Sequence, residues 1–152
     1  MSKYNQEIII ESMNIGQLNE VLEIEKLCFT TPWSENSFVY DLTENDKAIY
    51  ISALIEDRVV GYCGIWMICD EAHIMNIAVH PDFRRMGIGS IIIEKIIDIA
   101  FDNNLQSMTL EVKISNYAAI DLYKRFGFAQ SGIRKGYYED TNEDAIIMWK
   151  TL

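Results

Sequence analysis

Short apolar blocks and turn signals divide the chain into alternating element types. The stretch from Gln6 to Ser12 is β-rich and predicts a first strand. Asn14, with Gln17 three residues on, reads as a capping pair for a helix whose buried stripe takes Ile15, Leu18, Val21, Leu22, Leu27 and Cys28. Pro32 in Thr31–Trp33 breaks it, and Ser34 then caps a second helix to about Leu42. Two β-rich runs follow, Ala48–Asp57 and Arg58–Cys69, around a turn at Glu56, Asp57 and Arg58. A third strand spans Glu71–Pro81, then a long helix runs from about Gly87 to Asn103. A strand over Gln106–Ile114, a helix from Asn116 to Phe126 stopped by Gly127, and strands near Phe128–Tyr137 and Asp144–Lys150 complete the chain. Early helices, an antiparallel meander and then strand–helix–strand imply a mixed α/β (α+β) protein with helices on both faces of one sheet. The segment from Ile74 to Val112 is a strand–helix–strand unit, so its two strands should run parallel.

Composition narrows the class. With 152 residues the chain is expected to form one domain over 1–152. It has two prolines and no biased tract, so no linker is expected. The N-terminal stretch lacks the apolar segment of a signal peptide, and no apolar run reaches the roughly 20 residues of a membrane span. Cys28, Cys63 and Cys69 are odd in number and make no C-x-x-C pair, which suits buried thiols in a reducing cytoplasm. A net charge of −10 argues against general nucleic-acid binding. It suits a basic partner or plain solubility, and charge alone does not separate the two.

The junction before the long helix carries the first chemical signal. The strand ending at Pro81 leads into Arg84-x-x-Gly87-x-Gly89 and the helix start. A helix N-terminus offers unpaired N–H groups, glycine lets the backbone approach a bulky anion, and arginines add charge, which together describe a phosphate cradle. A tight turn with solvated arginines reads equally well from spacing alone. The spacing fits neither the P-loop nor the dinucleotide fingerprint. His73 and His80 are isolated, so no metal site is expected, and no serine sits in a G-x-S-x-G elbow.

The string "NIAVHPDFRRMGIG" (Asn76–Gly89) resembles motif A of the GNAT superfamily of N-acetyltransferases, and "LEVKISNYAAIDLYKRFGF" (Leu110–Phe128) resembles that superfamily's next motif. With "PWSENSF" (Pro32–Phe38) and the segment from Arg134 to Met148, the likeness narrows to the ribosomal-protein-alanine N-acetyltransferases and covers about Ile8 to Met148. It implies a central, mostly antiparallel sheet of about seven strands. It implies acetyl-CoA as donor, held by Arg84, Arg85, Met86, Gly87, Ile88, Gly89 and Ser90. In the same likeness Ile77, Ala78 and Val79 pair with the pantetheine arm, and Asn116 adds a contact beside its N-cap role. Glu111 matches the proposed base and Tyr123 the proposed acid. As strand and helix residues the two also read as a salt-bridged carboxylate, with Lys113, and as a core tyrosine. Tyr137, Tyr138 and Trp33 are candidates for the peptide entrance, though each also reads as packing. Glu139, Asp140, Glu143 and Asp144 form a solvated turn that could attract a basic tail. Lys113, where arginine is common, and His80, where an acidic residue often precedes the proline, depart from the pattern.

The implied acceptor is the N-terminal alanine of a small-subunit ribosomal protein, in the cytoplasm, without direct nucleic-acid or membrane contact. A free α-amine titrates near ~7.7–8.0 against ~10.4 for lysine, so such a substrate needs only a modest base. A lysine, polyamine or small-amine acetyltransferase, or a module that binds acyl-CoA without turnover, stays open at this point. Nothing in the chain reports its oligomeric state.

Overall fold

The computed structural model describes residues 7–152, so the expected start of the first strand at Gln6 lies outside the described residues. Strands and helices follow as β1 Ile9–Ser12, α1 Leu18–Cys28, α2 Glu35–Thr43, β2 Ala48–Ile55, β3 Arg58–Ile68, β4 Glu71–Val79, α3 Ile88–Asp102, β5 Ser107–Lys113, α4 Tyr117–Arg125, β6 Ala129–Tyr138 and β7 Glu143–Thr151. One seven-stranded sheet takes the order β1-β2-β3-β4-β5-β7-β6. All neighbours are antiparallel except β4 and β5. That exception is the expected crossover through α3.

Local chemistry sets the boundaries. The β2–β3 hairpin turns on Glu56 and Asp57, both at positive φ (49° and 67°), as a two-residue hairpin loop of the primed type requires. Arg58 already pairs with Ile55, so the loop is one residue tighter than the sequence suggests. Ser34 Oγ accepts from the Ser37 N–H (3.1 Å) and starts α2. Gly127, at φ 93°, ends the turn after α4.

The two sheet faces carry separate cores. Ile88, Ile92, Ile93 and Ile96 of α3 pack with Ile120 of α4 against Ile65, Ile74, Leu110 and Val112. On the other face Leu18, Val21 and Ile24 of α1 and Phe38 of α2 cover Tyr50, Tyr62 and Ala78. The expected stripe of α1 needs correction. Ile15 is 50% exposed and Leu27 54% exposed, while Ile24 and Glu25 are buried. Ile15 lies in a separate 3₁₀ turn, Ile15–Gln17, ahead of the α-helix. Leu27 follows Leu18 by nine positions, which at about 100° per residue puts it a half-turn off the buried side. The cysteines also differ from expectation. Only Cys63 is buried, Cys28 is half-buried and Cys69 is exposed, all three as free thiols.

Two irregularities shape the middle of the sheet. The β3–β4 register skips Met75, since Gly64 pairs with Asn76 and Ile65 with Ile74. A β-bulge of this kind resets the in–out alternation of its strand. Gly64 is required beside it, because a Cβ there would lie 2.2 Å from the Tyr50 ring. The β4–β5 pairing is short, joining only Glu71–His73 to Ser107–Thr109. Beyond those residues β4 stays with β3 as far as Val79 and β5 stays with β7 as far as Lys113. The sheet therefore splits between its two halves. Among the described residues no helix is long and apolar enough to cross a membrane.

Candidate active site

The split opens into a cleft of about 660 Å³. Its walls are Ile74–Ile77 of β4 and Leu110–Lys113 of β5, and α4 contributes Tyr123 with its capping residue Asn116. Trp33, with Phe29–Thr31, closes it from the α1–α2 connection, and Tyr137–Asp140 close it from the β6–β7 turn. Seven of the residues expected to meet cofactor, peptide or the reacting groups share this space, namely Glu111, Tyr123, Asn116, Ile77, Trp33, Tyr137 and Tyr138, together with Lys113, Glu139 and Asp140.

Glu111 owes its direction to strand alternation. Leu110 and Val112 point into the α3 core, so Glu111 faces the α1 side. Its carboxylate pairs with Arg134 Nε of β6 at 3.5 Å and not with Lys113, the partner expected from sequence. Lys113 sits over the Tyr138 ring, 5.3 Å from its centroid.

Tyr123 is held by the short helix α4. Asn116 Oδ1 accepts from the Ala119 N–H (3.2 Å), which fixes the helix start. Ile120 and Tyr123 then share its buried side. The Tyr123 ring meets Phe128 edge-on at 5.8 Å. Burial, then the neighbouring Cys63 and Tyr138, pushes its phenol far above the ordinary tyrosine value, so it is protonated at neutral pH. Tyr138 is raised as well, by burial first and then by Tyr137 and Glu111. Tyr137 and Tyr138 stand edge to face at 5.0 Å.

The two segments over the mouth are tied together. Asp140 of the β6–β7 turn accepts from the Thr30 hydroxyl and from Thr31 Oγ1 (3.2 Å). These hydroxyls, that of Thr30 foremost, hold the Asp140 carboxyl below its ordinary value.

The anion loop is laid out one turn beyond β4. Arg85 and Gly87 both take positive φ, 62° and 79°, on either side of Met86. That alternation turns successive backbone N–H groups toward one side, the geometry of an anion nest, at the start of the fifteen-residue helix α3. A Cβ on Gly87 would meet nothing within 4 Å, so space outside it is open. These features fit a diphosphate. Gly89 has a second neighbour, since a Cβ there would lie 3.3 Å from Leu122 Cδ2 of α4. Arg84 folds back onto the strand, with Nε donating to the Val79 carbonyl (3.3 Å) and Nη2 to Cys28 Sγ (3.3 Å). Arg85 is exposed. Ala78 packs its side chain under α1 and Val79 packs toward α3, and of the three expected strand residues Ile77 alone lines the cleft.

Sequence reasoning missed Glu25 and Asn76, which also line the cleft. Glu25 is 1% exposed. Its carboxylate accepts from the Trp33 N–H (2.8 Å), from the Tyr62 hydroxyl and from Asn76 Nδ2 (3.2 Å). The signal was available, because Glu25 stands seven residues after Leu18 on the apolar stripe of α1, where a carboxylate needs partners. No group of His, Cys, Asp and Glu among the described residues could hold a metal ion.

Comparison with known proteins gives the family and the fold. Residues 18–128 match the acetyltransferase (GNAT) family. A Bacillus subtilis protein, provisionally named a ribosomal protein bS18-alanine N-acetyltransferase, is 39% identical over 143 residues, covering 94% of this chain and 95% of that one. The ribosomal protein bS18-alanine N-acetyltransferase of Salmonella typhimurium is 35% identical over 141 residues, with 91% and 94% covered. The crystal structure of the Escherichia coli ribosomal-protein-S18-alanine N-acetyltransferase superposes with a TM-score of 0.88 at 33% identity, over 95% of this chain and 94% of that one.

Proposed function

The chain belongs to the GNAT family of acetyltransferases, and on that premise we propose that it moves the acetyl group of acetyl-CoA to the α-amine of a protein beginning with alanine, ribosomal protein bS18. The whole chain works as one domain in the cytoplasm. The observation that carries the reading is one cleft holding both a carboxylate, Glu111, and a buried, protonated phenol, Tyr123, where β4 and β5 part.

Bound acetyl-CoA supplies a thioester, an acyl group already activated toward amines. The chain supplies orientation and protons. The nest at Arg85–Gly87 and the first turn of α3 would hold the diphosphate through backbone N–H groups. The free edge of β4 past His73 would lend its backbone to the pantetheine arm, and a backbone N–H there would stabilise the thioester carbonyl oxygen as it gains charge. Glu111, across the split, takes a proton from the amine, directly or through water. Tyr123 gives its proton to the departing sulfur. No acyl-enzyme is needed, and transfer is direct.

Acceptance of a chain terminus also follows from the access. Tyr137 and Tyr138 on one side and Trp33 on the other leave a mouth whose rim carries Glu139 and Asp140. An acidic rim on a protein of net charge −10 favours a basic acceptor segment over nucleic acid or an anionic membrane surface.

The test is thiol release from acetyl-CoA with three peptides. One starts with free alanine, one is the same peptide with a blocked N-terminus, and one is blocked but carries lysines. Turnover is expected with the first alone. Turnover of the blocked, lysine-bearing peptide would transfer the assignment to a lysine acetyltransferase. Thiol release with none of them, despite acetyl-CoA binding, would leave a binding module.

A further inference from the structure

Asn76 carries an unusual imbalance at this cleft. Its Oδ1 is the buried side-chain atom that no group among the described residues donates to. The other end of the amide is committed, since Nδ2 donates to Glu25 Oε1 at 3.2 Å. Glu25 already faces two donors, the Trp33 N–H and the Tyr62 hydroxyl, so it meets Asn76 as an acceptor and fixes which way the amide is turned.

The register shows where that oxygen sits. His73 and Thr109 are the last paired residues of β4 and β5. Glu111 stands two residues past Thr109, on the same face. Asn76 stands three past His73, but one of the three, Met75, is the bulge. Asn76 is therefore level with Glu111 on the opposite wall. The bulge also decides its face: Ile74, Ile77 and Val79 pack toward α3, whereas Asn76 meets Glu25 of α1. Were Met75 a regular ladder residue and not a bulge, Asn76 would share the face of Ile74, toward α3 and away from Glu111.

We propose that Asn76 Oδ1 accepts one N–H of the incoming α-amine, and that Glu25 is the positioning residue that keeps this oxygen available. The inference rests on the amine-acceptor reading above. A neutral primary amine has two hydrogens and one lone pair. Asn76 on one wall takes one hydrogen and Glu111 on the other takes the second, which aims the lone pair along the cleft at the thioester carbon. As the C–N bond forms, the hydrogen facing Glu111 leaves as a proton to that carboxylate. The C–S bond breaks, with the Tyr123 proton going to sulfur. The hydrogen on Asn76 stays on nitrogen and becomes the amide N–H of the product. The oxygen is shielded from bulk water, and a soft turn about the terminal side-chain torsion, against the long bond to Glu25, brings it to the amine.

A secondary amine has only one hydrogen and must give it to the base. The experiment therefore compares wild type and Asn76→Ala, each with an alanine-starting peptide and with the same peptide starting in N-methyl-alanine. Asn76→Ala is expected to lower kcat/KM for the primary amine about tenfold, the effect of one lost hydrogen bond, and to leave the N-methyl peptide nearly unchanged. The preference for the primary amine then shrinks about tenfold. Equal losses on both peptides, or no loss on either, would overturn the proposal. Acetyl-CoA affinity by calorimetry should stay at the wild-type value and reports that the variant is folded.

Glu25→Gln should reproduce the loss, because its amide N–H can occupy Oδ1. Combining it with Asn76→Asp reverses the bond, with the donor now at 25 and one carboxylate oxygen accepting at 76, leaves the second oxygen at 76 free, and should recover the primary-amine preference. A folded double variant without recovery counts against the proposal. If wild type itself ignores the alanine-starting peptide, the amine-acceptor reading fails first, and this inference with it.

Discussion

At the scale of single residues, the division of labour between Glu111 and Tyr123 can be read from pH. An α-amine becomes neutral by itself above about pH 8, so a base matters most below that point. Glu111→Gln should therefore cut kcat/KM by about 10²-fold near pH 6.5 and by much less at pH 9, in line with the usual size of general-base effects. A pH–rate profile parallel to wild type would remove Glu111 from that role. On the proposed function Tyr123 serves the leaving group. Its raised phenol stays protonated through this range, so no alkaline limb is expected from it below pH 9. Tyr123→Phe should slow transfer by about 10²-fold while acetyl-CoA affinity, measured by calorimetry, holds. The positions of both residues were legible in local strings, a glutamate between two core residues of a strand and a tyrosine on a capped helix, but their proposed roles came from the family resemblance, because alone each reads equally as a salt-bridged carboxylate and a core tyrosine. Glu25 and Asn76 were not. Their meaning lies in contacts between α1, β3 and β4, as much as 51 positions apart, and no short window contains them.

At the scale of elements, the mouth depends on two loops that the sequence shows separately and the fold brings together. Thr30 and Thr31 end up against Asp140 some 110 positions later. The Asp140 carboxyl is depressed, so the sign is that of an acid stabilised in its charged form. The tie is complete above the ordinary carboxylate value of about 4 and is lost as pH falls below it. It therefore holds through the range in which the enzyme would be assayed. Asp140→Ala should raise the peptide KM several-fold, leave kcat near wild type, and shift Tm little, because the group is exposed. A large drop in Tm would make the tie a structural one. Most element boundaries were legible, because Ser34, Asn116 and Gly127 mark ends by local chemistry. The Met75 bulge was not legible. It is a mismatch between two strands, and neither strand carries it alone; Gly64 hints at a close approach only once the Tyr50 ring is known to lie over it. The α1 stripe went wrong in two ways: Ile15 lies in a 3₁₀ turn outside the helix, and Leu27, inside it, falls a half-turn away from Leu18.

For the whole molecule, the feature that matters is a sheet in two halves that share three residue pairs at one end and separate at the other. The parallel crossover through α3 was predictable from the order of elements, but the length of the pairing was not, because a strand's outward pattern is the same whether or not its neighbour stays beside it. The loop at Arg85–Gly87 opens at the start of α3, while Phe29–Thr31 and Tyr137–Asp140 border the cleft, so on the proposed function donor and acceptor approach from opposite faces. Charge acts on only one of these approaches. With 13 Lys and Arg against 23 Asp and Glu, the chain attracts cations, and Glu139 and Asp140 concentrate that field at the peptide mouth. Salt screens such attraction over about 10 Å at 0.1 M and about 3 Å at 1 M. An alanine-starting peptide with a basic tail should therefore lose kcat/KM several-fold between low salt and about 0.5 M, through KM with kcat held. The same peptide with a neutral tail should change little. If both tails respond alike, the salt acts on acetyl-CoA or on the fold, and the acidic rim has no part in choosing the acceptor.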